Sequence, residues 1–453
     1  MLLNLTINKI GDSMVDPKAL VIAGPYGQTI NGLSFQQDAL ASHCGYQYVG
    51  YYDGDRRVCI ARRKLPLGAW QVIRFDDYYF ANNDAHNTIS IGICPNDGTI
   101  HLAFDHHVDP LHYRISQKGA ATKPETVQWD ASLFGPIRSE LEENKTIQVT
   151  YPRFWQTTAG GLQFCYRHGG SGDGDRLLVD YDHLTGTWKN TRFIDSGKGV
   201  FSDERGASSS RCSYPNGFNY GPDGKLHVTW VWRESHKEAN HDIMYAYSED
   251  NGNTWFNNDG DALEGPLNIN SSQVKVVTIS RAHGLMNTQS QAIDSVGRIH
   301  TVMWHCTEAS LKAATMEMVD PTWGPSDARH YHHYWRDDNA VWQHCQLPGI
   351  AGNRPKLFFD RQDNAYLIYS TPAPSQKMNR GIYFAEGSMS IMVASAKSNW
   401  TDWQVVHSEQ GPFMNEMLGD VYRWKESGIL SVMVQVSASE NHGPTPLRIL
   451  DFA

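Results

Sequence analysis

Two histidines, a tyrosine and an arginine carry the chemistry this chain is best equipped to perform: His86, His106, Tyr151 and Arg167. An imidazole takes or gives a proton near neutral pH. A guanidinium grips a carboxylate through two parallel hydrogen bonds. Set around a 4-linked uronic acid, such groups suit β-elimination. The C5 proton is weakly acidic, and neutralising the adjacent carboxylate lowers the barrier to its removal. A base then takes the proton and an acid protonates the departing O4. In glucuronate the C5 hydrogen and C4 oxygen lie on one side, so a single residue can serve as base and then as acid. His106 is expected in that role, with Arg167 on the carboxylate and His86 and Tyr151 positioning the uronate or sharing the proton transfer.

These residues are far apart in the chain, so repeated elements must bring them together. One unit recurs: a short strand, a turn, then an alternating strand. Its clearest copies are Pro95 to Leu102, turning at Asp97-Gly98, and Gly221 to Val228, turning at Asp223-Gly224, with a third at Asp294 to Thr301. Weaker copies lie at Asp363-Asn364, Ser427-Gly428, Gly160-Gly161 and His43 to Gly45. Each reads as a hairpin. Seven turns about 53 to 73 residues apart predict an all-β chain: a seven-bladed β-propeller, residues 1–453 forming a single domain. Ser248 to Trp255 fits the Asp-box S-x-D-x-G-x-x-W, which supports the same fold. Thr401 to Val406 and Leu447 to Phe452 read as strands, and Ala19 to Ala23 is a candidate closing strand for the last blade.

In a propeller the first strand of each blade lies innermost. Its start and the end of its hairpin partner share one end of the barrel. His86 precedes the strand Ile89–Ile93 and His106 follows its partner Ile100–Phe104. Tyr151 and Arg167 hold the same places in the third blade. Arg211, Tyr214 and Asn216, with Arg233 and Glu234 opposite, do so in the fourth, and His283, Asn287 and His305 in the fifth. Asn353 and Arg354 come from the sixth, and Gln36, Gln37 and Asp38 from the first. Arg211, Tyr214, Asn216, Asn287, His305 and Arg354 are therefore the expected substrate-binding residues.

Other readings stand beside these. Arg167 could pair with Asp173 or Asp175. Tyr151 and Tyr214 precede prolines and could simply pack at strand entries. His330, His332 and His333 could touch ligand or form a solvated loop. A hydrolase would use two carboxylates flanking the bond, and no convincing pair stands out among Asp38, Asp105, Asp203, Glu204, Glu234 and Asp420. A sialidase-like site would use a tyrosine and three arginines, for which Arg167, Arg211 and Arg354 are available.

Composition narrows the field. A net charge of −10 argues against a nucleic-acid partner. No apolar stretch is long enough to span a membrane as a helix. The seven cysteines are spread singly, without zinc-ribbon spacing, and most lie in apolar strand patterns as buried thiols. The start of the chain shows no signal peptide. Four sequons, at Asn4, Asn144, Asn270 and Asn399, support a secreted protein. A monomer acting on an acidic polysaccharide or oligosaccharide is expected.

The segments Phe35-Gln36-Gln37-Asp38-Ala39-Leu40 and Phe104-Asp105-His106-His107-Val108-Asp109-Pro110-Leu111-His112-Tyr113-Arg114 resemble the repeat-containing propellers that include ulvan lyases and L-rhamnose-α-1,4-D-glucuronate lyases. The resemblance runs along the whole chain. It points to the fungal rhamnose–glucuronate type, which removes terminal rhamnose from arabinogalactan such as gum arabic, and next to ulvan lyase. It implies a His pair twenty residues apart, matched by His86 and His106, and a Tyr–Arg pair sixteen apart, matched by Tyr151 and Arg167. Related α-L-rhamnosidases act through a His in the Phe-Gln-x segment, where this chain has Gln37. The resemblance also implies a structural divalent metal, calcium by expectation, with ligands unassigned, and no organic cofactor.

Overall fold

The computed structural model describes the chain except residues 1–4, 25–26, 34–38, 143–144, 237, 317–321, 373–377, 380–382, 385, 415 and 439–442. Gln36, Gln37 and Asp38 of the first blade thus lie outside the described residues, as do Asn4 and Asn144. Seven antiparallel sheets follow one another around a central axis. The first blade runs Leu40–His43, Tyr46–Tyr52, Arg57–Lys64 and Gln71–Tyr79. The second is Ile89–Ile93, Ile100–Phe104 and Tyr113–Ile115. The third, Gln148–Gln156, Leu162–Gly170, Asp173–Asp182 and Thr187–Asp195, takes an extra strand, His107–Pro110, on its inner edge. The fourth opens with Cys212–Tyr220, Leu226–Arg233 and Asn240–Ser248. The fifth is Ser290–Ile293, Ile299–His305, His330–Arg336 and Trp342–Gln346, and the sixth is Lys356–Phe359, Ala365–Pro372, Glu386–Ala394 and Gln404–Met414.

The seventh blade joins the chain's two ends. Leu418–Gly419, Leu430–Gln435 and Thr445–Phe452 are completed by Lys9–Ala19, which pairs antiparallel with Thr445–Phe452. The closing strand therefore precedes the expected one; Val21–Gly24 instead forms a small ribbon with Gly27–Thr29. Buried ionic groups lock the seam. Asp451 of the seventh blade accepts from Arg63 of the first at 2.8 Å and from Arg423 at 2.6 Å. Asp420 accepts from Ser42 at 2.6 Å and Gln47 at 2.8 Å.

The hairpin reading of the turns holds at Gly98 (φ 70°) and Gly224 (φ 81°), which sit in the left-handed conformation between paired strands. It fails at Ser427-Gly428, where Gly428 caps a short helix, Val421–Ser427. The Asp-box folds as a tight turn. Asp250 Oδ1 accepts from the backbone amides of Asn253 and Thr254, and Trp255 is buried. Blades pack face to face through apolar side chains, and glycine makes room where an inner strand meets a neighbouring ring. A Cβ on Gly92 would stand 2.6 Å from the Phe154 ring of the third blade. Truncating Phe154 would cost roughly 3–5 kcal/mol, the usual price of deleting a buried aromatic. Cys59, Cys94, Cys165, Cys212 and Cys306 are buried thiols.

Candidate active site

The second and third blades build the site where their inner strands begin. After Phe104 the chain leaves the second blade and crosses to the third, pairing His107 with Thr150. Three non-glycine residues on this crossing and the strand it meets adopt left-handed backbone: Asp105 (φ 61°), Val108 (φ 68°) and, in Gln148–Gln156, Tyr151 (φ 53°), two of them at strand irregularities. Each such conformation costs about 1–2 kcal/mol and persists only where its surroundings hold it. Here they do. Asp105 accepts from the Tyr78 hydroxyl at 2.5 Å and Asn87 Nδ2 at 2.6 Å. The Val108 amide donates to Thr150 Oγ1 at 2.7 Å, and the His107 amide to Asp109 at 2.8 Å.

This strained crossing stacks the His107 ring on His86, with centroids 4.3 Å apart. One carboxylate holds both: Asp84 accepts from Nδ1 of His86 and, at 2.7 Å, from Nδ1 of His107. Both rings thus carry the Nδ1 proton, which leaves Nε2 as the basic nitrogen. Burial works against the Asp84 charge, but hydrogen bonds from His107 and His86 outweigh it and hold the carboxyl well below its usual range. Burial pushes His86 down to about 4, against the pull of Asp84 and helped by the charges of His107 and Arg354. His86 is therefore neutral near pH 7.

Tyr151 links this pair to Arg167. Its ring centre lies 6.0 Å from His86 and 5.9 Å from His107. The Arg167 guanidinium sits 4.8 Å from the Tyr151 ring and 5.5 Å from the Tyr214 ring. It is 1% exposed. Its Nε donates to the Gly169 carbonyl and Nη1 to Cys212 Sγ, while Nη2 is buried with no hydrogen-bond partner. Among the described residues Arg167 forms no ion pair; Asp175 instead accepts from the Gly197 amide. The Tyr214 hydroxyl lies 3.2 Å from Ser171 Oγ.

The other expected residues are placed differently. His106 is fully buried, and its Nε2 accepts from the His112 amide at 2.8 Å, so the nitrogen needed for a base is occupied. Arg211 is spent on Glu234 through two bonds of 2.9 and 3.0 Å and on four backbone carbonyls. Asn216 holds Thr229 and the Gln289 amide inside the barrel. His305 is buried in a chain with Tyr334 and the Cys306 carbonyl and stacked on His332. His332 and His333 are likewise buried in strand, not solvated, and His330 Nδ1 donates to the Gly349 carbonyl. Arg354 pairs with Glu416 at 2.9 Å and with Asn287 at 2.6 Å; it stays near enough to His86 for its charge to be felt there. Sequence reasoning passed over Asp84 and did not assign His107 a role. The available signal was a carboxylate two residues before His86 and a second histidine next to His106.

Asp84, His86 and His107 are the one cluster of three potential metal ligands found among the described residues. A nitrogen-rich set does not suit calcium, which selects six to eight oxygens. The hydrogen-bond distance from Asp84 to His107 Nδ1 is also shorter than ligand atoms keep around a zinc ion with bonds of about 2.0 Å. The trio reads as a hydrogen-bonded relay.

The repeat-containing profile described as "BNR repeat-containing family member" matches residues 46–350. The chain belongs to this BNR repeat-containing family. Curated relatives include the long isoform of ulvan lyase from Glaciecola sp. (strain KUL10), 26% identical over 54% of this chain, and that from Pseudoalteromonas sp. (strain PLSV), 26% identical over 60%. The matched stretches span only 28% and 30% of those proteins' lengths. Two solved structures share the propeller fold. The polysaccharide lyase Uly1 has a TM-score of 0.73 at 18% identity, covering 99% of both chains. A PL25 ulvan lyase bound to -[GlcA(1-4)Rha3S]- has a TM-score of 0.69 at 14% identity, covering 96% of this chain and 95% of that one.

Proposed function

We propose that this BNR-family propeller is a polysaccharide lyase that cleaves a 4-linked uronate by β-elimination, with ulvan as its substrate. The observation that carries the reading is the unpaired Nη2 of Arg167, a buried cationic donor with no acid of its own. An uncompensated buried donor is costly, and a uronate carboxylate would supply what the protein does not. Because Arg167 is covered, a substrate must move a side chain to reach it. We assign that movement to Tyr214, whose hydroxyl is held by the long Ser171 contact.

Roles follow from protonation near neutral pH. His86, kept neutral and in one tautomer by Asp84, takes the C5 proton at Nε2. The electron pair forms the C4=C5 double bond as the C4–O4 bond breaks. Tyr151 donates its phenolic proton to the departing O4 and is then reprotonated from His86. This moves the base role from His106 to His86. The ulvan lyases among the relatives favour ulvan over the arabinogalactan that the motif suggested. The test is incubation with ulvan and, separately, gum arabic, following ultraviolet absorbance of the conjugated product and new reducing ends. Both signals on ulvan are expected. Reducing ends without absorbance would mean hydrolysis and would overturn the mechanism; signals on gum arabic alone would overturn the substrate.

A further inference from the structure

The inner strands run from the Arg167 end to an opposite face. Cys212–Tyr220, at nine residues, spans roughly 30 Å at about 3.3 Å per residue. The axial channel between the faces holds only about 90 Å³. At the opposite face, however, the strand ends of the fourth to seventh blades enclose a cavity of about 600 Å³, within the range of small-molecule sites.

Its wall has the parts a sugar chain needs. Trp424 and Tyr366 meet edge to face at 5.1 Å. Their polar atoms are turned to the protein, Trp424 Nε1 to the Phe359 carbonyl at 2.6 Å and the Tyr366 hydroxyl to Asp360 at 3.3 Å, which leaves apolar ring surface to line the cavity. The charges are asymmetric. Asp294 is neutralised by Arg298 at 2.6 Å, and Asp360 is occupied by Asn364 at 2.7 Å as well as Tyr366. Lys425 and Arg361 also line the cavity, and among the described residues neither forms an ion pair; Arg361 makes one 3.4 Å contact, to the Glu426 carbonyl. Aromatic surface beside two unpaired cations suits a saccharide bearing carboxylates or sulfates.

We propose that this face is a second saccharide site, built on Trp424, Tyr366, Lys425 and Arg361, that holds a distant acidic stretch of the polymer being cut at Arg167. It rests on the lyase reading for the identity of that polymer. With the faces roughly 30 Å apart, only a long chain can occupy both, and the second contact then raises its effective concentration.

The test is the double variant K425A/R361A, both positions exposed, assayed with polymeric ulvan and with an ulvan tetrasaccharide. KM for the polymer should rise about tenfold, with kcat and the tetrasaccharide kinetics unchanged. An unchanged polymer KM, or a parallel rise for the tetrasaccharide, would overturn the inference and leave the lyase reading standing. Retardation in a gel containing ulvan, measured in an R167A background, tests the site without turnover. Loss of retardation in the triple variant supports it even if ulvan is not cleaved; retardation that is absent in the R167A protein, or unaffected by the double substitution, sinks it.

Discussion

Asp84→Asn separates a relay from a coincidence of neighbours. The substitution keeps the size of the side chain and removes its charge. The carboxylate now accepts from two Nδ1 protons, one on His86 and one on His107. An amide has one acceptor oxygen and one donor NH2, so it can satisfy one ring only. The other must turn to the tautomer with Nε2 protonated, which is useless as a base. Loss of a general base costs about 10²–10⁴-fold, and the asparagine equivalent in a serine protease triad lies at the upper end of that range. We therefore expect kcat on ulvan to fall about 10³-fold with KM changed less than about threefold, since Asp84 does not touch the carboxylate-binding arginine. The pH profile gives a second readout. Asp84 raises the His86 pKa, which already sits at about 4. Removing it moves that pKa lower still, so the acid limb of the kcat/KM profile shifts to lower pH while its plateau drops. Initial rates of absorbance increase across a pH series measure both. A D84N protein that keeps half the wild-type kcat, or whose acid limb moves upward, would refute the relay.

Arg167→Lys keeps a charge but loses the planar fork, and kcat/KM should fall about 10²–10³-fold in the same assay. Arg211→Ala should behave as a structural lesion: stability falls by about 3–5 kcal/mol in urea titrations because Glu234 is left buried beside His241 without its arginine, while KM of the folded fraction stays unchanged. Acid should unfold the protein through histidines buried in the neutral form. Burial lowers His101 to about 3 and His227 and His305 to about 4, from an ordinary 6.5. Their folded pKa values are depressed, so the unfolded chain binds more protons and stability is lost as pH falls from about 6.5 towards about 4. Three such groups give a slope of about 4 kcal/mol per pH unit, and a urea midpoint that stays flat over that window would contradict it.

The blade count and the gathering of polar residues at one end of the barrel were legible because both rest on turn spacing and hairpin geometry, which are local. The identity of the second site histidine was not, because it depends on side-chain parity. Along a regular strand neighbouring residues face opposite sides, but left-handed Asp105 and Val108 bracket the His106-His107 doublet and reset that alternation. Nothing in the residue type marks Val108 for positive φ, and Asp105 is only mildly disposed to it; hydrogen bonds from Tyr78 and Asn87 to Asp105, and from the Val108 amide to Thr150, hold the conformation. The helix at Val421–Ser427 was hidden for a similar reason, since Gly428 serves a helix cap as readily as a hairpin.

Position alone also fails to tell a binding arginine from a structural one, because convergence at the barrel end gathers the acids with the cations. Arg211 and Arg354 each meet a buried carboxylate there, Glu234 and Glu416. The first pairing could have been anticipated: Cys212 lies opposite Arg233 in the sheet, so Arg211 and Glu234 are the next facing pair. The same test applied to Arg167 returns no partner. Its facing residues in the third blade are Thr150 on one side and Arg176 on the other, and neither can neutralise it. An arginine buried between two tyrosines, with a second arginine opposite and no ion pair among the described residues, is unfavourable for folding and is best accounted for by an anion that arrives later. That imbalance, more than the presence of histidines, distinguishes the site from the other polar clusters around the axis.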